Sequence, residues 1–249
     1  MTIQAVERAL DVLLLFAERP PGSGEELPGF GVTQIAERLG LAKSTVHRIL
    51  ATLESRGFVR QDPVTGRYQL GLKALELAGA YLAQDDLGAV AYPEMVRLRD
   101  EVEETVSLYV RDGIERVRVQ KAEGRQVVRR VANLGERLPL HRGASGKVLL
   151  AWLPPAQLDQ ILHRIWQQTP FDVEALKQEL AEVRERGWAT SAEERAEGVA
   201  SVAAPIRNRA GEVVAALAIS GPVQRFDDAA IERYSRAVVA AAHTIGMRL

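Results

Sequence analysis

The feature that most constrains this sequence is a pair of short helical segments, separated by a glycine and followed by a basic hairpin. In "VTQIAERLGLAKSTVHRILATLESRGFVRQD", a first segment ends at Gly40, and a second begins near Lys43 and ends at Gly57. A glycine readily adopts the left-handed conformation that ends many helices, so a very short turn can join the two. "FVRQDPVTGRYQLG" then places a turn at 62–66 between two alternating runs, which is typical of a β-hairpin. This order of elements predicts a winged helix-turn-helix.

Helical spacing divides the second segment into an apolar side and a polar, basic side. Val46, Leu50 and Leu53 fall on the apolar side. In helix-turn-helix units the start of the second helix approaches base edges in the major groove, and the flanking wing suits phosphate contacts. The predicted DNA-binding residues are Lys43, Ser44, Thr45, His47, Arg48, Arg60 and Arg67.

Charge is concentrated locally rather than across the chain. The formal net charge of the 249 residues is -1, whereas residues 42–70 hold five basic side chains and two acidic ones. We therefore expect a modest electrostatic patch around the hairpin and the second helix, and not a basic field over the whole protein. Cysteine is absent, which excludes disulfides, thiolate catalysis and cysteine-ligated metal.

The segments on either side of the helix-turn-helix indicate how the chain is divided into domains. Residues 4–18 carry apolar side chains at helical spacing, which predicts a core-facing helix, and the proline- and glycine-rich residues 19–31 predict a loop. Acidic residues within the first segment argue against a signal peptide or a membrane span, and we expect a cytoplasmic protein. We assign residues 1–71 to the winged helix-turn-helix, 72–86 to a linker helix and 87–249 to a C-terminal domain.

The C-terminal domain mixes strands and helices, so the expected fold class is α+β. The predicted strands are 105–113, 115–124, 127–135 and two apolar runs within 201–221, and the predicted helices are 88–104, 145–152, 155–166, 173–186 and 227–248. No internal repeat is present.

At several places the sequence closely resembles the IclR family of bacterial transcriptional regulators. The matching stretches are "AVERALDVLLLFAE", "VTQIAERLGLAKSTVHRILATLESRGFVRQD", "GRYQLGLKALELA", "LPLHRGASGKVLLAWLP", "GWATSAEERAEGVASVAAPIRN" and "AALAISGP". The resemblance implies an N-terminal winged helix-turn-helix, a linker helix and a C-terminal α/β domain with a GAF- or profilin-like fold. It also implies homodimers or homotetramers, and effectors that are small organic or aromatic acids.

The resemblance also places an effector pocket. Its residues come from the "HRGASGK" loop, the "TSAEERAEGVAS" segment and the "AALAISGP" strand: Ala144, Ser145, Ser191, Val199, Ser201, Ala218 and Ser220. Small hydroxyl groups with no compensating acid form a cavity that can hydrogen-bond an anion. Backbone N–H groups at the helix start in "HRGASGK" could hold its carboxylate.

Enzymatic alternatives fit less well. "GASGK" lacks the leading glycine and the final hydroxyl residue of a phosphate-binding loop, and no nucleophile elbow is present. The four histidines are too scattered to predict a metal site, and no cofactor is expected. Glu193, Glu194 and Glu197 are interpreted as a solvated face rather than catalytic carboxylates.

The sequence thus predicts a DNA-binding transcriptional regulator and not an enzyme. Its expected partners are double-stranded DNA with a pseudo-palindromic operator and a small effector, which we expect to be a carboxylate. The alternative is a regulator whose C-terminal domain serves only oligomerisation or protein interaction.

Overall fold

The fold was determined as a computed structural model that describes residues 2–17, 29–84, 86–127 and 133–249. The chain divides into two compact units, Met1–Gln84 and Asp85–Leu249. Within the described ranges, no helix is both long and apolar enough to cross a membrane. The domain boundaries assigned from the sequence, including a separate linker at 72–86, remain predictions.

The N-terminal unit contains the helix-turn-helix and the hairpin. Its elements are α1 (Gln4–Leu15), α2 (Val32–Leu39), α3 (Lys43–Ser55), β1 (Val59–Gln61), β2 (Tyr68–Leu70) and α4 (Leu72–Gln84). Gly40 ends α2 at φ +63°, and β1 pairs antiparallel with β2. Asp62 closes the hairpin turn by accepting hydrogen bonds from the N–H groups of Val64 and Thr65 at 3.0 and 2.8 Å.

The helix α1 faces the core as predicted, but only with part of its apolar stripe. Val12 and Leu15 are buried, but Val6, Leu10 and Leu14 are 51, 53 and 64% exposed. The reason is the size of the unit, because α2 and α3 can cover only one side of α1. An apolar stripe is left in contact with water on the other side. The predicted loop at 19–31 lies mostly outside the described residues.

The C-terminal unit is built on one antiparallel sheet. Its elements are α5 (Asp86–Val102), β3 (Thr105–Asp112), β4 (Glu115–Ala122), β5 (Arg137–Pro139), α6 (Ala144–Ala151), α7 (Pro155–Gln168), α8 (Val173–Arg186), β6 (Ala189–Ala192), β7 (Val199–Arg207), β8 (Val213–Pro222) and α9 (Asp228–Gly246). The strand order is β5-β4-β3-β8-β7-β6. The predicted strand at 127–135 falls largely on residues that are not described, and the short strands β5 and β6 were not predicted.

Helices cover both faces of this sheet, so alternate residues of each strand enter two separate cores. Val202 and Leu217 pack with α5 and α9, whereas their neighbours Ala203 and Ala216 pack with α6, α7 and α8. A strand in such a sheet is buried on both faces. A polar side chain that alternates with valines is therefore enclosed instead of meeting water.

Candidate DNA-reading face and buried arginine pocket

The polar side of α3 is open to solvent. Lys43, Ser44, His47 and Arg48 are exposed and Thr45 is half-buried, while the opposite side of the helix packs into the core of the N-terminal unit. No described residue of this unit covers the face that is predicted to contact DNA. The first two turns of α3 can therefore approach a groove, with an arginine and a histidine available to base edges.

The two wing arginines are in different environments. Arg60 is exposed and donates to the Gln69 side chain across the hairpin at 2.8 Å. Arg67 is half-buried, and its Nε and Nη2 donate to the carbonyl of Gly29 at 3.1 and 2.6 Å. Arg67 therefore ties the hairpin to the segment before α2, whereas Arg60 presents its charge to solvent.

In the C-terminal unit, strand register brings the predicted serines together. Ser191 of β6 lies opposite Ser201 of β7, and Ser201 lies opposite Ser220 of β8. The predicted residues that line one cavity are Ser145, Ser191, Val199, Ser201, Ala218 and Ser220. Ala144 does not line this cavity, because its side chain is buried in the core that contains α6, α7 and α8.

The remaining cavity wall is cationic and was not predicted. Its side chains include Tyr109, Arg116, Arg118 and Arg195. Arg116 and Arg118 are 2% and 1% exposed. Their spacing in "ERVRVQ" is typical of a strand with one wet face, so the sequence pattern indicates solvent-exposed arginines. Both arginines are buried instead, because helices cover both faces of the sheet.

Arg116 is a buried charge that has no carboxylate in direct hydrogen-bond contact among the described residues, although Glu136 and Glu194 lie near enough to stabilise it electrostatically. Within the described residues its Nη1 donates to the carbonyls of Pro139 and Arg142, the latter at 2.8 Å, and its Nε has no partner. Burial lowers the pKa of Arg116 to about 10, so the guanidinium stays protonated at neutral pH. Gly143 makes room for it: at φ +86°, a Cβ there would lie 2.8 Å from Nη2 of Arg116. The site thus holds a positive charge that an anion can neutralise.

Arg118 and Tyr109 form the fixed part of the wall. The Nε of Arg118 donates to the Tyr109 hydroxyl at 3.0 Å, and its guanidinium lies 5.0 Å from the ring centroid. A further N–H group donates to the Glu136 carboxylate. Arg118 therefore has a direct carboxylate partner, whereas Arg116 has none among the described residues.

The loop before α6 already holds an internal carboxylate. Glu194 accepts a hydrogen bond from the N–H of Gly143 at 2.9 Å and pairs with Lys147 at 2.5 Å. Lys147 is 2% exposed and also pairs with Glu179. The interpretation of Glu194 as part of a solvated face is wrong, because a buried lysine needs carboxylate partners. A nearby acid therefore does accompany the pocket serines.

Comparison with known proteins decides the family. The profile described as "IclR helix-turn-helix domain" matches residues 5–63, and that described as "Bacterial transcriptional regulator IclR C-terminal" matches residues 79–247. The chain belongs to the IclR family. It is a DNA-binding transcriptional regulator, and the family is not one of enzymes.

Relatives of this IclR regulator match over nearly the whole chain. The regulator XynR of Escherichia coli is 37% identical, and the alignment covers 93% of this chain and 91% of XynR. The crystal structure of Thermotoga maritima IclR is similar with a TM-score of 0.78 at 30% identity, covering 100% and 99% of the two chains. An IclR homologue from Microbacterium hydrocarbonoxydans, complexed with 4-hydroxybenzoate, has a TM-score of 0.77 at 26% identity, with 98% of each chain covered.

Proposed function

We propose that this IclR-family regulator changes its affinity for operator DNA when a small organic acid binds beside Arg116. The acid carboxylate is placed against the Arg116 guanidinium, and the row of Ser191, Ser201 and Ser220 supplies hydroxyl groups for further hydrogen bonds. Tyr109 gives an apolar wall for an aromatic ring. The 4-hydroxybenzoate in the similar Microbacterium protein supports an aromatic carboxylate as the ligand class.

One observation carries this proposal: a buried, protonated arginine lacks a carboxylate partner among the described residues. Removing a charge from water without pairing it costs free energy. A carboxylate offers the bidentate geometry that a guanidinium fork favours. Ligand binding then supplies the missing counter-charge, and its free energy can shift the balance between conformations that bind DNA differently.

The pocket must widen to accept such a ligand. The enclosed volume is about 30 Å³, which is room for a water molecule or two and not for a benzene ring. The segment 193–198 contributes Arg195 and Ala196 to the wall. Glu194 fastens this segment to α6, so we propose that effector binding displaces it.

On the DNA side, we propose contacts from Lys43, Ser44, Thr45, His47, Arg48 and Arg60, with Arg67 as a weaker candidate. Two subunits would place two α3 helices on a pseudo-palindromic operator in the cytoplasm, with half-sites spaced by whole helical turns. The exposed stripe of Val6, Leu10 and Leu14 supports a dimer contact through α1. Residues 72–86 are proposed to link the DNA-binding unit to the effector domain.

The test compares Arg116→Met with Arg142→Met, which changes an exposed arginine in the loop before α6. Wild type and Arg142→Met should gain melting temperature with 4-hydroxybenzoate and should change their operator affinity in a gel-shift assay. Arg116→Met should lose both responses, and a thermal melt without ligand checks that it folds, because the substitution also removes the donor to the carbonyls of Pro139 and Arg142. Equal responses from both variants would contradict the proposal.

A second candidate is a C-terminal domain that serves only oligomerisation or protein contact. It predicts no thermal shift with any organic acid and an oligomeric state that depends on this domain. Titrating 4-hydroxybenzoate while following both the melting temperature and the light scattering distinguishes the two candidates. A thermal shift supports ligand sensing, and its absence supports a domain that serves only oligomerisation or protein contact.

A further inference from the structure

A second concave site lies at the other end of the central strands of the C-terminal unit. It is formed by the β7–β8 turn, the end of α9 and the ends of α6 and α8, and it encloses about 500 Å³. Ser201 of the first pocket and Arg207 of this cleft both belong to β7. Six residues of extended strand separate their Cα atoms by roughly 20 Å. The two sites are therefore distinct.

The cleft is strongly cationic. Arg184, Arg207 and Arg209 are among its lining residues, and no acid is found among the described residues that line it. Two acids are adjacent in sequence to lining residues: Glu185, an exposed residue beside Arg184, and Glu212, which accepts a hydrogen bond from the Asn208 side chain at 2.9 Å. Charges of one sign gathered in a concave surface attract small ions of the opposite sign.

Two of these arginines are held in place without charge neutralisation. Arg207 donates to the Gly211 carbonyl at 3.0 Å, and Arg184 donates to the Ala151 carbonyl at 2.8 Å. In the part of the chain that the structure describes, neither forms an ion pair. Burial lowers the pKa of Arg207, which indicates a partly desolvated guanidinium. Each arginine therefore has further N–H groups that can donate to a ligand. The hydrogen bond to a backbone carbonyl fixes the orientation of its guanidinium.

The cleft also has an apolar wall. The Arg207 guanidinium lies 4.6 Å from the centroid of the Trp152 ring. Pro205, Val239 and Met247 line the same space, and Met247 is 65% exposed. Pockets of a few hundred Å³ with apolar walls and a few convergent polar groups are typical of small-molecule sites.

We propose that this cleft binds a small organic anion, a carboxylate or phosphate monoester attached to an apolar body. The anionic group would lie between Arg184 and Arg207, and the apolar body would lie against Trp152, Val239 and Met247. The concave shape favours a small molecule over the flat surface of a second subunit. This site would act in addition to the Arg116 pocket and does not depend on it.

The experiment titrates phenyl phosphate and benzoate separately into the full-length protein by calorimetry, on an Arg116→Met background that removes the first pocket's cation. Inorganic phosphate serves as a third probe, which shows whether the apolar body contributes. We expect binding at millimolar or lower concentration. It should weaken by about tenfold or more in Arg207→Met, because charged hydrogen bonds contribute about 1.5–3 kcal/mol.

The matched control is Arg236→Met, an exposed arginine of α9 that pairs with Glu232. It should leave the probe affinity unchanged. Arg184→Met repeats the test if Arg207→Met does not fold, as judged by its thermal melt.

Three results would overturn the proposal. Probe affinity could be equal in the Arg207, Arg184 and control variants, or the probes could fail to bind the Arg116→Met protein. Alternatively, the cleft variants could change the oligomeric state in light scattering without changing probe affinity, which would identify the cleft as a subunit contact.

Discussion

The arginines of the N-terminal unit and those of the C-terminal unit differ in what they contact. Arg48 and Arg60 project from an exposed helix and an exposed strand, whereas Arg116 and Arg118 are enclosed beneath α6. An exposed arginine can be substituted with little effect on the fold, so its contribution is visible only when a partner binds. A buried one contributes to both stability and ligand affinity. DNA-binding assays should therefore report on the exposed arginines of the N-terminal unit. Unfolding and ligand-binding assays should report on the buried arginines of the C-terminal unit.

The largest expected effect is on DNA recognition. Arg48→Ala should reduce specific operator binding about tenfold to a hundredfold, since an arginine paired to a base contributes about 1–3 kcal/mol of discrimination. Its melting temperature should not change. Gel shifts with operator and unrelated DNA measure the effect, with Arg56→Ala, an exposed arginine at the end of α3, as control. Wild-type discrimination in Arg48→Ala would refute the groove assignment.

An effect of intermediate size is expected on the stability of the C-terminal unit when the carboxylate beside the Arg116 pocket is removed. Glu194→Gln should lower the free energy of unfolding by about 1–3 kcal/mol, because it removes a carboxylate from buried Lys147. Glu197→Gln changes an exposed residue of the same segment and should have no such effect. Denaturant unfolding followed by circular dichroism measures both. Equal stabilities would show that Glu179 alone satisfies Lys147.

The smallest expected changes in DNA affinity and stability come from substituting the two wing arginines, Arg60 and Arg67. Arg60→Ala should weaken binding to all DNA sequences alike and reduce the salt dependence by about one phosphate contact. Arg67→Ala should instead cost about 1 kcal/mol of stability, since Arg67 holds the Gly29 carbonyl. Salt titrations of DNA affinity, paired with thermal melts, distinguish the roles. A salt slope that falls more for Arg67→Ala than for Arg60→Ala would reverse the assignment.

Local patterns in the sequence were sufficient for the elements that depend on short-range chemistry. The glycine at 40, the amphipathic run of α3 and the Asp62 turn each specify a conformation through nearby residues, and all three are present. The family resemblance directed attention to serines that strand register then places side by side. Contacts between elements far apart in the sequence could not be predicted from these local patterns.

Arg116 and α1 show why exposure is hard to predict from sequence alone. The pattern around Arg116 indicates exposure although the residue is buried, and the pattern of α1 indicates burial although part of its stripe is exposed. A charged residue alternating with valines predicts exposure, and an apolar stripe predicts burial, yet each prediction depends on what other elements cover. Gly143 and Gly146 at the start of α6 pack against the buried Arg116, whereas Leu10 is 53% exposed. Arg118 could have been found from the sequence only by predicting that both faces of the sheet are covered.

The small volume of the Arg116 pocket has a consequence for how sensitively the regulator responds. If the widened form is a minor population, the measured affinity for any effector is the intrinsic affinity reduced by that population. Substitutions in the 193–198 segment that favour opening would then lower the effector concentration needed for a response without altering a single contact to the ligand. Two regulators with identical pocket walls could thereby respond to very different concentrations of the same acid.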